Sequence, residues 1–349
     1  MLAVWVVLSG IASLGLTALW CRNAPRFGFL DLPNSRSSHA AATPSGGGVG
    51  IVAAASVAAA WLAIRAAWAS GAGDVVAVLV LVALAAPLAW VGLRDDRQGV
   101  SPWLRLAVQV AVVGALVGVS TVTRPAAAEQ MLPSWCLFGL ALFSGVWWIN
   151  LFNFMDGIDG LAALQVVTML SCAALLAAWH VPHVSGSLFW GVMLCVVAAT
   201  LGFLTLNWPP AKIFMGNVGS AWLAFVVFAL ALATTQRAWL SVASWSILAA
   251  VFVSDATVTL LRRLLRREKV WQAHRSHAYQ RLARRVSTNR TTAHRSVGLL
   301  VVAINLLWLA PLAAAAVWHP RWSPVWLGLA YGPVLLGVSV LGAGRLDPK

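Results

Sequence analysis

Within Asn150-Leu-Phe-Asn153-Phe-Met-Asp156-Gly157-Ile-Asp159-Gly160, an amide and two carboxylates recur every three residues, and a glycine follows each acid. This spacing lets Asn153, Asp156 and Asp159 project toward one side, while the glycines let the backbone turn tightly and approach a ligand. A helix break with polar caps is the plainer alternative. A second acidic pair, Asp95 and Asp96, stands in Gly-Leu-Arg-Asp-Asp-Arg. Each pair concentrates negative charge that a divalent cation or bound cations must offset.

Cationic groups follow in His274-Arg275-Ser276-His277-Ala-Tyr279-Gln280-Arg281, inside a run of arginines. On a helix, His274, His277 and Arg281 share one face, so two imidazoles and a guanidinium converge on a common point suited to phosphate. A basic amphipathic helix lying on anionic lipid reads the same arginines differently, and an enzyme acting on a lipid phosphate would use both. Asn207-Trp-Pro-Pro-Ala-Lys-Ile-Phe214-Met-Gly216-Asn217-Val-Gly219-Ser220 is a Pro-stopped segment leading into a helix start, where backbone N–H groups suit an anion. The polar stretch from Asp31 to His39, with Thr43-Pro44-Ser-Gly46-Gly47-Gly48, matches neither a Walker A loop nor GxGxxG after a strand, which excludes a nucleotide-binding P-loop.

The elements that position these groups are membrane spans. Hydrophobic residues make up 60% of the 349, against 10% charged, and the mean hydropathy is +0.83. Those values exclude an ordinary soluble domain. Apolar runs long enough to cross a bilayer as helices start near residues 1, 47, 74, 102, 133, 161, 186, 217, 238, 296 and 322, predicting an all-α polytopic protein of about eleven transmembrane helices. Met1 to Trp20 lacks a basic leader and a small-residue cleavage site before Cys21, so it is read as the first span. With the N-terminus outside, only Arg65, Arg124, Arg237 and Arg321 of the 24 basic residues fall on outer loops, and the C-terminus is cytoplasmic. The net charge of +14 therefore reads as cytoplasmic loops, with no nucleic-acid partner. Tryptophans near span ends (Trp20, Trp68, Trp90, Trp103, Trp208, Trp271 and Trp322) suit an interfacial belt. The four cysteines show no CxxC and no neighbouring histidine, so neither a disulfide framework nor a zinc site is expected. One domain covers residues 1–349, with active-site loops at about 22–46, 94–101, 152–160, 207–216 and 262–295.

Five cytoplasmic segments, DLPNSRSSH with TPSGGG, GLRDDR, NLFNFMDGIDGLA, KIFMGNVGS and HRSHAYQRL, resemble in order and spacing the polyprenyl-phosphate N-acetylhexosamine-1-phosphate transferases. That superfamily includes the phospho-MurNAc-pentapeptide translocase and the transferases that initiate O-antigen synthesis, and the resemblance runs from about Asp31 to Arg285. HRSHAYQRL, in place of three clustered histidines, looks most like the O-antigen branch. The resemblance implies transfer of sugar-1-phosphate from a UDP-linked N-acetylated sugar to undecaprenyl phosphate, with release of UMP. It places the chain in the bacterial inner membrane with the active site cytoplasmic, so that the outer N-terminus read from the charge split is periplasmic, with Mg²⁺ as cofactor, Mn²⁺ as its substitute, and room for a homodimer.

Carried over residue by residue, the resemblance makes Asp95 and Asp96 the paired catalytic acids, one of which positions or deprotonates the lipid phosphate. Asp156 and Asp159 become the second catalytic pair, and His274 and His277 become phosphate contacts. Phe214 would stack on uracil, and Arg36, His39, Arg275, Tyr279 and Arg281 would bind substrate. Asn153 and Asn217 fall on the magnesium ligands. Where the family carries Asp in FMGD this chain carries Asn217, so both inherited ligands are neutral amides. A catalytically silent or weakened family member is one competing class, and a transporter of a lipid-linked sugar is another.

Overall fold

A computed structural model describes residues 2–32, 42–67, 72–122, 133–269 and 274–345. The apolar runs form long helices: α1 (Leu2–Asn23), α2 (Gly48–Ala67), α3 (Ala72–Gln98), α4 (Pro102–Val122), α5 (Ser134–Met155), α6 (Leu161–His180), α7 (Leu188–Asn207) and α8 (Gly216–Gln236). They continue as α9 (Val242–Leu248), α10 (Ala250–Leu265), α11 (Ala278–Val286), α12 (Arg290–Ile304), α13 (Ala310–Trp318) and α14 (Ser323–Val340). A π-helical stretch, Asn305–Leu309, joins α12 to α13 into one long span. Among the described residues, ten helices are long and apolar enough to cross a membrane, and α9 with α10, counted as one bent span, makes an eleventh. The chain is an all-α multi-pass membrane protein.

The ninth span departs from the expected straight helix. α9 and α10 meet at a 72° bend, although no Gly or Pro stands at the break. Gln165 of α6 donates to the Leu248 carbonyl (3.0 Å) and accepts from Asn305 (2.8 Å), and a side chain bonded into the backbone ladder is a recognised cause of a kink. The basic segment also differs from expectation. His277 stands at the N-cap of α11, so His274 precedes the helix and does not share its face.

α6, α7 and α8 lie at the centre, with 72%, 67% and 67% of the most apolar 18-residue stretch of each buried, whereas the spans of α1 and α14 bury only 17% and 11% and lie at the outside of the bundle. Helices approach closely where side chains are small, as in membrane bundles generally. A Cβ on Gly48 would lie 2.3 Å from the Gly219 Cα, which holds the starts of α2 and α8 together.

That contact continues into the loops. Leu30–Asp31 pairs antiparallel with Thr43–Pro44, and the next segment is stitched to the start of α8 by Phe214 N to the Pro44 carbonyl, Gly47 N to Phe214 and Gly48 N to Met215, each 2.9 Å. Trp20, expected in an interfacial belt, instead donates Nε1 to the Ser45 carbonyl (3.0 Å) and braces this hairpin. Trp90 and Trp103 are exposed at 61% and 80%, as a belt requires, and Trp68 and Trp271 lie outside the described residues.

Candidate active site

Odd-numbered spans end, and even-numbered spans begin, at the same face of the bundle, where a cavity of about 300 Å³ opens. Asp96, Asn153, Asp156, Asp159, Phe214 and Asn217 all line it, so three junctions distant in sequence meet there.

Asp96, in the last turn of α3, accepts from the backbone N–H of Asn217 (2.7 Å) and of Val218 (3.2 Å). The helix start that the sequence offers to an anion is therefore filled by the chain's own carboxylate, at the positive end of the α8 dipole. Gly216 makes this approach feasible: its φ is +74°, and a Cβ there would lie 2.3 Å from Asp96 Oδ2. The Asn217 side chain also lies against the Asp96 carboxyl. Asp95 points elsewhere. It accepts from Val100 N (2.6 Å) and Arg105 (2.8 Å), fastening α3 to α4 outside the cavity lining.

The second pair divides as well. The Asp156 carboxyl has no hydrogen-bond or ion-pair partner among the described residues, while its backbone N–H donates to the Asn153 carbonyl (3.3 Å). Burial, with Asp96 and Asp159 nearby, pushes its carboxyl well above the usual carboxylate range. Asp159 is buried, accepting from Arg290 (2.6 Å) and Ala211 N (3.2 Å), with His294 Nδ1 3.3 Å away. Burial alone would raise it, yet His294 and Arg290 together with the Ala211 N–H hold it below its ordinary value.

Asn153 accepts from the Ser220 hydroxyl (2.9 Å), which orients its amide between α5 and α8. One unpartnered carboxyl, Asp156, lining the same cavity as the Asn153 amide suits Mg²⁺, which takes one or two carboxylates and completes its shell with water and phosphate oxygens. Among the described residues, no group of three or more His, Cys, Asp or Glu could hold a metal by itself.

His274 and His277 stack with centroids 4.8 Å apart, beside Phe154. His277 is buried, with Nδ1 3.2 Å from Asp255 Oδ1. Asp255 on α10 also accepts from Ala278 N (2.8 Å), Tyr279 N (2.9 Å) and Thr259 (3.1 Å), capping α11. Tyr279 is buried, donates to the Phe154 carbonyl (3.0 Å), and is raised well above its usual pKa by burial and by Asp255 and Asp156. Arg281 does not converge with the histidines, because it reaches the carbonyls of Leu341 (3.0 Å) and Arg345 (3.2 Å) at the end of α14. Arg275 does not line the cavity, and Arg36 and His39 lie outside the described residues.

Sequence reasoning missed Asn207, Asp255, Gln280, Arg290 and His294. Asn207 accepts from Gly160 N and donates to the Ile213 carbonyl, both 2.9 Å, and so ties two cavity loops together. Gln280 and Arg290 line the cavity directly. Polarity at span ends was the available signal, and it does not distinguish a cavity residue from a solvated one.

The family described as Glycosyl transferase family 4 matches residues 78–235. The chain is 30% identical to the probable undecaprenyl-phosphate N-acetylglucosaminyl 1-phosphate transferase of Bacillus subtilis, over 80% of this chain and 77% of that protein. It is 31% identical to the decaprenyl-phosphate N-acetylglucosaminephosphotransferase of Mycolicibacterium smegmatis, over 62% of this chain and 58% of that protein. It is also 31% identical to the phospho-N-acetylmuramoyl-pentapeptide-transferase of Streptococcus mutans, over 48% of this chain and 51% of that protein.

Proposed function

The chain belongs to glycosyl transferase family 4, and from that premise we propose that it transfers an N-acetylhexosamine 1-phosphate from a UDP-sugar to undecaprenyl phosphate, releasing UMP. The reaction runs at the cytoplasmic face of a bacterial inner membrane and begins an O-antigen or related envelope polysaccharide. The observation that carries this reading is the convergence of Asp96, Asn153, Asp156, Phe214 and Asn217 on one cavity at one end of a membrane bundle. A site at the helix ends admits a water-soluble donor and keeps a lipid acceptor in the bilayer.

A phosphate monoester is largely doubly ionised at neutral pH, its second pKa being about 6, so the acceptor needs no strong base. An acceptor phosphate oxygen attacks the sugar-bearing phosphorus in line. The new P–O bond forms as the bond to the UMP phosphate breaks, and the electron pair leaves on UMP. Mg²⁺, held by Asp156 and Asn153, would supply charge neutralisation at the diphosphate. Asp96 keeps the 216–218 turn against the cavity, and the Phe214 ring is offered to uracil. Asn217 favours a second reading, a weakened enzyme, since an amide stands where the family carries a charged ligand.

The test is incubation of membranes containing the protein with labelled UDP-N-acetylhexosamines, undecaprenyl phosphate and Mg²⁺. Expected products are a labelled lipid diphosphate sugar and equimolar UMP, both lost in Asp156→Ala. Absence of labelled lipid with every such donor would sink the reading, and label enclosed in vesicles without lipid linkage would favour a transporter.

A further inference from the structure

Four carboxylates, those of Asp31, Asp96, Asp156 and Asp159, line the cavity, and among the described lining residues Arg290 is the one cation. A nucleotide diphosphate entering that cavity brings further negative charge, so the position of a fixed cation decides where it can rest. Arg290 opens α12, directly after the capping residue Asn289, and its guanidinium carbon lies 5.9 Å from the centroid of the Phe214 ring. One nitrogen donates to Asp159 at 2.6 Å, while its Nε is buried with no hydrogen-bond partner.

A buried N–H on a charged group is costly to leave unmade, and an oxygen of an anion would satisfy it. The Asp159 contact does not explain the orphan nitrogen. Asp159 is shared with the Ala211 N–H and lies beside His294, so it holds the arginine in place without saturating it. Guanidinium is planar, keeps its charge at any working pH and matches a phosphate with two parallel donors.

We infer that Arg290 binds the diphosphate of the nucleotide donor, with Asp159 and His294 as the anchor that fixes its orientation. The inference rests on the donor reading above and adds to it the residue that receives the donor's charge. Phe214 and Arg290 then form one recognition unit, the ring for the base and the guanidinium for the phosphates.

Calorimetric titration of UDP and of uridine into the purified full-length protein, in metal-free buffer, tests this without requiring transfer. The wild type is expected to bind UDP more tightly than uridine. Arg290→Lys and Arg290→Gln are expected to lower UDP affinity about ten- to a hundredfold, the range for hydrogen bonds to charged groups, and to shift uridine affinity by less than about threefold. Arg290→Lys keeps a cation beside Asp159, and its thermal midpoint reports whether it is folded. A folded Arg290→Lys with undiminished UDP affinity overturns the inference and leaves the donor reading standing. A wild-type protein that binds neither UDP nor uridine brings down both.

Discussion

Asp95 and Asp96 adjoin in sequence and do unrelated work: one fastens α3 to α4, and the other caps α8. Their type and adjacency were legible in the sequence. Their division was not, because it depends on which backbone N–H waits 121 residues away. Asn217 has the same character, since its side chain lies against Asp96 while the residue lines the cavity. Asn217→Asp would place a further carboxylate beside Asp96. With Mg²⁺ present, the added charge is expected to lower the metal concentration for half-maximal activity by about tenfold or more, a gain of about 1.4 kcal/mol. Without metal, the same variant is expected to melt at a lower temperature than the parent, because like charges then lack an offset. A metal titration of activity and a metal-free melting curve check the two halves. Asp159 gives a pH-dependent case. Its folded pKa is depressed, so its contribution to stability is fully present above the unfolded value of about 3.9 and is lost as pH falls through the folded value. Because Arg290 is 34% exposed, we expect Asp159→Asn to cost about 2 kcal/mol, less than a fully buried pair. The deficit in thermal midpoint should be equal at pH 7 and pH 5 and shrink below about pH 3.9.

At the scale of elements, the spans were legible because about twenty apolar residues have few other uses, and eleven predicted starts fall on or near observed ones. The bend between α9 and α10 was not legible, since Gln165, the residue bonded into it, lies 83 positions from the carbonyl it engages. α10 matters because it carries Asp255, whose carboxylate meets His277 and the first N–H groups of α11. Removing that carboxylate leaves two buried N–H groups and an imidazole without their acceptor. Asp255→Ala is expected to cost about 3 kcal/mol of stability. It is also expected to lower kcat at least about tenfold while UDP affinity in the cavity is retained, because α11 reaches the cavity through Gln280 and His277 is not among its lining residues. Melting curves and steady-state kinetics on one preparation separate the two effects, and unchanged kcat would mean that the histidine pair has no part in turnover.

For the whole molecule, the C-terminal turn sits on the cavity side of the bundle. Gly344 N donates to the Ser276 carbonyl (2.7 Å), and Arg262 and Arg281 reach carbonyls at 343 and 341 (2.9 and 3.0 Å). α2 ends and α3 begins at the opposite face of the bundle. Reporters fused after Trp68 and after Lys349 are therefore expected to report opposite sides, periplasmic and cytoplasmic, and agreement between them would refute the span count. The charge arrangement of the cavity reaches beyond the enzyme's own substrates, into the design of compounds that block it. Its helix terminus is already filled by Asp96, and four acids surround a single described arginine. A stable mimic of the donor with a fully charged diphosphate surrogate would meet repulsion everywhere except at Arg290. The tighter antagonist should keep one anionic group for Arg290, carry neutral or cationic groups elsewhere between its uracil and its sugar, and lose little when magnesium is withdrawn.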